Sequence, residues 1–137
     1  MLGVKDGQPG KVAGIDSVSS KVQAVVTVAA PFNPADVNKP EDTAMDRSFM
    51  LSVVNNYLGG LPDIDWNGGV ASPGKAAEAS PITHVTKDDT PILIYYSDND
   101  PVIPVRHAKG MYSKLKETGV PSNAGSRAKA HSRIWMK

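Results

Sequence analysis

Two short apolar runs, about sixty residues apart, frame this chain. Val22-Gln23-Ala24-Val25-Val26-Thr27-Val28-Ala29-Ala30 is rich in β-branched residues and almost continuously apolar, and Pro31 stops it. Thr90-Pro91-Ile92-Leu93-Ile94-Tyr95-Tyr96 is a second run of the same kind, ended by the turn residues Ser97-Asp98-Asn99-Asp100-Pro101. Unbroken apolar runs of this length fit strands buried on both faces, as in a parallel sheet. Parallel strands cannot be joined by a hairpin, so the residues between them must supply a crossover, usually helical.

The intervening sequence reads that way. Residues 1–20 are rich in Gly, Ser, Asp and Lys around Pro9-Gly10 and read as a loop, and a Pro/Asn/Asp loop follows the first strand over 31–40. A helix is expected over about 41–58. Met45, Phe49, Val53 and Tyr57 form its apolar stripe, Met50, Val54 and Leu58 widen it, and Gly59-Gly60 stops it. Ser72-Pro73 reads as a cap and first helical residue for a short helix, Gly74 to Ala79, that ends before Pro81. The strands are expected over about 21–30 and 90–96. Pro104 opens a further helix, about 104–118, with Val105, Ala108, Met111, Tyr112 and Leu115 on one face. Lys114 and Lys116 suit its negative C-terminal pole, and Gly119 caps it. The tail, 122–137, has no apolar residue larger than alanine over 122–129, although Ile134-Trp135-Met136 follows. The fold class is therefore α/β, with two or three parallel strands and crossover helices in one partial domain over 1–137. So small a parallel sheet has apolar edges that want partners, which points to a chain belonging to something larger.

Composition narrows the function. Fifteen Lys and Arg against fourteen Asp and Glu leave a net charge of +1, which provides no general attraction to nucleic acid or an anionic membrane. There is no cysteine, which excludes disulfides, thiolate zinc sites and cysteine nucleophiles. No apolar run approaches the roughly 20 residues of a membrane span. Met1-Leu2-Gly3-Val4-Lys5-Asp6 does not open a signal peptide. That observation bears on compartment only if Met1 is the true start, so localisation stays open.

The best chemical constellation lies at the end of the second strand. Functional groups of open α/β sheets collect at the carboxyl ends of strands, and Asp98 and Asp100 are both there. Aspartates at strand ends serve equally well as turn formers. His131 follows Asp100 by 31 residues, room for one helix and one short strand, so it can return to the same sheet edge. A carboxylate bonded to one imidazole nitrogen fixes the tautomer and leaves the other nitrogen as a base. Other candidates are weaker. His84 reads as packing or capping, and His107 as facing solvent or the rim of the site. Lys109, Lys114 and Lys116 read as a solvated face, and Trp66 as a loop anchor or a stacking platform. The three histidines lack metal-ligand spacing, and Asp98-Asn99-Asp100 lacks the glycine and terminal glutamate of a calcium loop. Neither Gly59-Gly60 nor Gly68-Gly69 opens a helix after a strand, as a phosphate cradle would.

Four phrases, in order, resemble the C-terminal part of the α/β-hydrolase fold. They are Ser19-Ser20-Lys21-Val22-Gln23-Ala24-Val25-Val26 with Ala30-Pro31-Phe32; Tyr57-Leu58-Gly59-Gly60; Ala79-Ser80-Pro81-Ile82-Thr83-His84-Val85; and Pro91 through Asp100-Pro101-Val102-Ile103-Pro104 to Gly119-Val120-Pro121. The chain most resembles the esterase/lipase branch, including the BD-FAE-like carbohydrate-ester and feruloyl-ester hydrolases. The resemblance implies that Asp100 orients the catalytic histidine, that His131 is that histidine, and that Asp98 is a supporting or turn residue. It implies a small ester substrate for the complete enzyme, a short acyl or aryl ester, with a carbohydrate ester as one candidate. No metal or organic cofactor, nucleic acid, membrane span or specific protein partner is expected.

The chain departs from the pattern in three places. Tyr96-Ser97 stands where the family often has His-Gly, and the segment 122–129 is polar where the family's last strand is apolar. The nucleophile elbow, Gly-x-Ser-x-Gly, and the oxyanion-hole loop precede the region matched here. Ser72 has Val70 where the elbow needs glycine, and Ser126 has Gly125 before it and Arg127 after it, so neither is a credible nucleophile. The expectation is a truncated carboxylic-ester hydrolase that supplies the aspartate and the histidine of a Ser-His-Asp triad without the serine, inactive in isolation. The alternative is a non-catalytic remnant, or a small binding module on the same scaffold.

Overall fold

The structure, a computed structural model, describes residues 21–36, 44–57 and 73–126. The order is β1 (Val25–Val28), α1 (Ala44–Tyr57), α2 (Pro73–Ala79), a 3-10 turn over Pro81–His84, β2 (Ile92–Tyr96), α3 (Val105–Thr118) and β3 (Ser122–Ser126). The three strands form one sheet in the order β1-β2-β3, and both pairings are parallel. The class is α/β, as the alternation of strand-type and helix-type segments predicts. The expected loop over 1–20, Gly59-Gly60, Trp66 and everything after Ser126 lie outside the described residues.

Val25 lies beside Ile92 and Thr27 beside Ile94, while Ile92 lies beside Ser122 and Tyr96 beside Ser126. The ladder runs past the strand ends, with Val25 N–H donating to Pro91 O at 2.9 Å and Ile92 N–H to Pro121 O at 3.1 Å. Ile92 and Ile94 turn toward α3, whose Ala108, Met111 and Leu115 lie on one stripe, and Phe32, Val85 and Val120 complete the core. α3 ends at Gly119, which takes the left-handed conformation with φ 84° and donates its N–H to Leu115 O and Lys116 O.

Three features depart from expectation. First, among the described residues the sheet is covered on one face only. Val26 is 67%, Val28 68% and Leu93 43% exposed, whereas Ile92 and Ile94 are buried. Unbroken apolarity in the sequence records that both faces are suited to burial; only a second layer can bury the second one. A shallow groove of about 380 Å³ runs over the lower part of the sheet, past Val26, Leu93 and Asn123.

Second, over residues 51–57, where the side chains of α1 are described (those of Met45, Phe49 and Met50 lie outside the description), the buried side is not that of Val53 and Tyr57 in the expected stripe. Leu51, Val54 and Asn55 are buried, whereas Val53 and Tyr57 are exposed. At about 100° per residue, positions 51, 54 and 55 share one side and 53 and 57 the other. Apolar residues ring this helix closely enough that its sequence permits either side.

Third, the polar segment Ser122–Ser126 is a strand. Its side chains carry no strand pattern. What holds it is the backbone of β2, whose second edge it pairs along its whole length. An unpaired ladder in a partly buried sheet would leave amides and carbonyls unsatisfied.

Candidate functional site

The carboxyl ends of β1 and β2 lie side by side, and the loops that leave them build the site. β2 ends at Tyr96, and the turn that follows carries Asp98 and Asp100. The two carboxylates, alike in sequence, have different partners. Asp100 Oδ1 accepts hydrogen bonds from Val102 N–H at 2.9 Å and Ile103 N–H at 2.8 Å. Pro101 cannot donate, and Pro104, the N-cap of α3, offers no side-chain cap. Asp100 therefore satisfies amides of the lead-in to α3 that would otherwise depend on water. Bonds between an ionised oxygen and two adjacent amides fix the carboxylate plane. Among the described residues nothing donates to Oδ2.

Asp98 is bound from the neighbouring strand. Its Oδ2 accepts from Ser126 Oγ at 2.5 Å, and Ser126 is the buried last residue of β3. Asn99 N–H turns back to Ser97 Oγ at 3.3 Å, which tightens the turn between the two aspartates.

The loop after β1 begins at Ala29, which has φ 48° and donates its N–H to Tyr95 O at 3.0 Å. A left-handed alanine is uncommon and strained; here it swings the chain off the sheet as the ladder ends. The loop is then tied down at three points. Phe32 O accepts from Ile82 N–H at 3.1 Å, and Asn33 N–H donates to His107 Nδ1 at 3.3 Å. Arg106 donates from Nε to Asp36 Oδ2 at 3.2 Å and from Nη2 to Asp36 O at 3.1 Å. Ser80 Oγ joins this set, 3.3 Å from Asn33 Oδ1 and 2.6 Å from Ala76 O. Arg106 and His107 belong to the first turn of α3, which Asp100 leads into. One short helical turn thus sets both strand-end loops.

His107 corrects the sequence reading. It does not face solvent or a rim; it is 2% exposed. It stands one turn before Met111 and two before Leu115, on the buried stripe, so helical spacing carries the signal that a polar residue type masks. His84 is a local contact, with Nε2 2.6 Å from Glu78 O near the end of α2. Asn33, Asp36, Ser80 and Arg106 are the positioning residues that sequence reasoning missed. Nothing in their local patterns marks them, because each acts across at least 47 residues of chain. Asp98 and Asp100 lie where the strand-end argument predicts; His131 and Ser72 fall outside the described residues. Among the described residues no helix is long and apolar enough to cross a membrane.

Comparison with known proteins places this geometry. No curated protein matches the chain. Among solved structures, it resembles a truncated form of a carbohydrate esterase from gut microbiota, with 24% identity and a TM-score of 0.64 over 91% of this chain and 45% of that one. It also resembles an acetyl ester-xyloside bifunctional hydrolase from Caldicellulosiruptor lactoaceticus, at 17% identity and TM-score 0.64, over 91% and 39% of the two chains. A thermophilic esterase from the Planctomycetes species Thermogutta terrifontis, with butyrate bound, matches at 13% identity and TM-score 0.60 over the same shares. At these identities the likeness is one of fold, and this chain spans less than half the length of each of the three. The BD-FAE family model matches residues 5–115, most of the sequence, and the chain therefore belongs to the BD-FAE family.

Proposed function

We propose that this chain is one partial α/β-hydrolase domain of a carboxylic-ester hydrolase, and that it carries the aspartate and the histidine of a Ser-His-Asp mechanism but not the serine. The observation that carries this reading is the state of Asp100. One carboxylate oxygen is fixed by two backbone amides and the other takes no donor among the described residues, at the carboxyl end of a parallel strand. A triad acid needs that asymmetry, because it must be held rigid and still accept the Nδ1–H of an imidazole. Asp98 also keeps one oxygen without a donor among the described residues, but a side-chain hydroxyl rather than two backbone amides holds the other, so it fits the acid's place less well.

In the complete enzyme the serine Oγ adds to the ester carbonyl carbon as His131 Nε2 takes its proton. The tetrahedral intermediate collapses, the carbonyl re-forms, and His131 returns that proton to the departing alcohol oxygen. Water repeats the sequence on the acyl-enzyme and releases the acid. Asp100 holds His131 in the tautomer with hydrogen on Nδ1 and stabilises the imidazolium that forms. Family membership and the esterase neighbours support an ester of a short acyl or aryl acid, including one borne by a carbohydrate, as the substrate class.

Two measurements test this. The isolated chain should not hydrolyse 4-nitrophenyl acetate above background; saturable turnover blocked by a serine-directed phosphonate would show that a nucleophile is present. Joined behind the nucleophile-bearing half of a solved carbohydrate esterase, the chain should support hydrolysis, and Asp100→Asn should then lower kcat by about 10⁴-fold through the wrong histidine tautomer. A chimaera equally active with and without that substitution would remove Asp100 from the mechanism.

A further inference from the structure

We infer that His107 is an acid-released latch: as a neutral imidazole it pins the loop after β1 to the first turn of α3, and its protonation lets that loop go. The latch goes beyond the ester-hydrolase reading and does not depend on it.

The direction follows from the chemistry of one bond. Asn33 N–H is a donor, so His107 Nδ1 must present a lone pair to it, and the hydrogen of the neutral ring then sits on Nε2. Protonation puts a second N–H where that lone pair was. Donor then faces donor across 3.3 Å, and the bond is lost. Water cannot easily reach in to compensate, because His107 is buried with Ala108, Met111 and Leu115 on the inner stripe of α3. Burial adds its own cost to a cation there. The pinned loop therefore excludes the imidazolium, and an imidazolium requires the loop to lift.

The charged groups described on the surrounding elements do not reverse this. Arg106 adjoins His107 on α3 and Asp36 comes from the loop itself; the two pair with each other at 3.2 Å, so that carboxylate is already engaged by a guanidinium. Lys109 on α3 and Glu78 on α2 are exposed, and His84 Nε2 is held at Glu78 O. Ser80, which meets the loop at Asn33 Oδ1, carries no charge.

Asn33 is the point from which the loop hangs. Its carbonyl accepts from Asp36 N–H at 2.8 Å, its Oδ1 lies 3.3 Å from Ser80 Oγ, and the neighbouring Phe32 O accepts from Ile82 N–H at 3.1 Å. The loop leaves β1 beside the end of β2, where the turn with Asp98 and Asp100 begins. Release would thus loosen one wall of the candidate site while the sheet and α3 stay in place. The pinned loop binds one proton fewer than the lifted one, so lifting is favoured as pH falls, and the latch holds fully above the ordinary histidine midpoint of about 6.5.

The test is amide hydrogen exchange by NMR on the ¹⁵N-labelled full chain between about pH 5 and 8, read as protection relative to the unstructured rate, with histidine tautomers followed alongside. His107 should hold the Nε2–H tautomer; an Nδ1–H ring overturns the latch. Protection of Asn33 N–H should be level above about pH 6.5 and fall about tenfold per unit below it. Asp36 N–H and Ile82 N–H should follow, because they bond to the same loop, while the amides of Met111 and Leu115 within α3 stay protected. His107→Gln keeps a carbonyl acceptor and takes up no proton, so it should abolish the fall. Asp36→Asn removes the carboxylate of the loop and should leave the fall intact. Level protection in the wild type overturns the latch, as does a fall that survives His107→Gln or vanishes in Asp36→Asn. Loss of Met111 and Leu115 protection at the same pH also overturns it, since the whole fold would then be opening. If His107→Gln does not fold, the wild-type tautomer and the Asp36→Asn slope decide.

Discussion

Gly119→Ala should destabilise the fold by about 1 kcal/mol, and the structure isolates the cause. Gly119 ends α3 with φ 84°, and its N–H closes onto Leu115 O and Lys116 O. A Cβ built there meets nothing within 4 Å, so collision with neighbours contributes nothing. What remains is the intrinsic penalty for an L-residue in the left-handed region, about 1–2 kcal/mol. Against it stands the smaller backbone freedom of alanine in the unfolded chain, worth about 0.4–1 kcal/mol in the other direction. Gly74 provides the control. It too has open space around a built Cβ, but it sits in α2 without a positive φ. Gly74→Ala should therefore stabilise, by about 0.5 kcal/mol, through helix propensity. Urea titrations followed by far-ultraviolet circular dichroism measure both, as opposite displacements of the midpoint. A neutral or stabilising Gly119→Ala would refute the assignment of the left-handed cap as the source of the effect.

Two more substitutions probe other links in the argument. Ala29→Gly should stabilise by up to about 1 kcal/mol in the same titration, because it relieves the left-handed strain at φ 48° where the chain leaves β1; a loss of stability would mean that the alanine methyl makes a contact that matters more. Leu115→Ala, at a fully buried position on α3, should cost about 3 kcal/mol, while Val26→Thr on the open sheet face should stay within about 0.5 kcal/mol; a cost above 1 kcal/mol at Val26 would mean that this face is covered in solution.

The candidate site was half legible. Asp98 and Asp100 could be placed from sequence because a β-branched run followed by turn residues locates the end of a strand without tertiary knowledge. Their different hydrogen-bond partners could not be read from the local pattern, since those are the amides of Val102 and Ile103 for Asp100 and, for Asp98, Ser126 arriving from β3. His107 was misassigned because its residue type suggested chemistry while its spacing from Met111 and Leu115 already marked the core.

By itself the sequence determined the strands around Val25–Val28 and Ile92–Tyr96, the amphipathic face of α3 and its stop at Gly119, because each rests on near-neighbour physics: β-branching, helical period and the conformational range of glycine. Tertiary structure alone decided that Ser122–Ser126 is a strand, that Leu51 rather than Val53 turns inward on α1, and that among the described residues only one sheet face is covered. Those outcomes depend on what lies opposite a segment in space. A free ladder edge on β2 recruits whatever chain passes beside it, and a helix with apolar residues on several sides buries the side its neighbours reach.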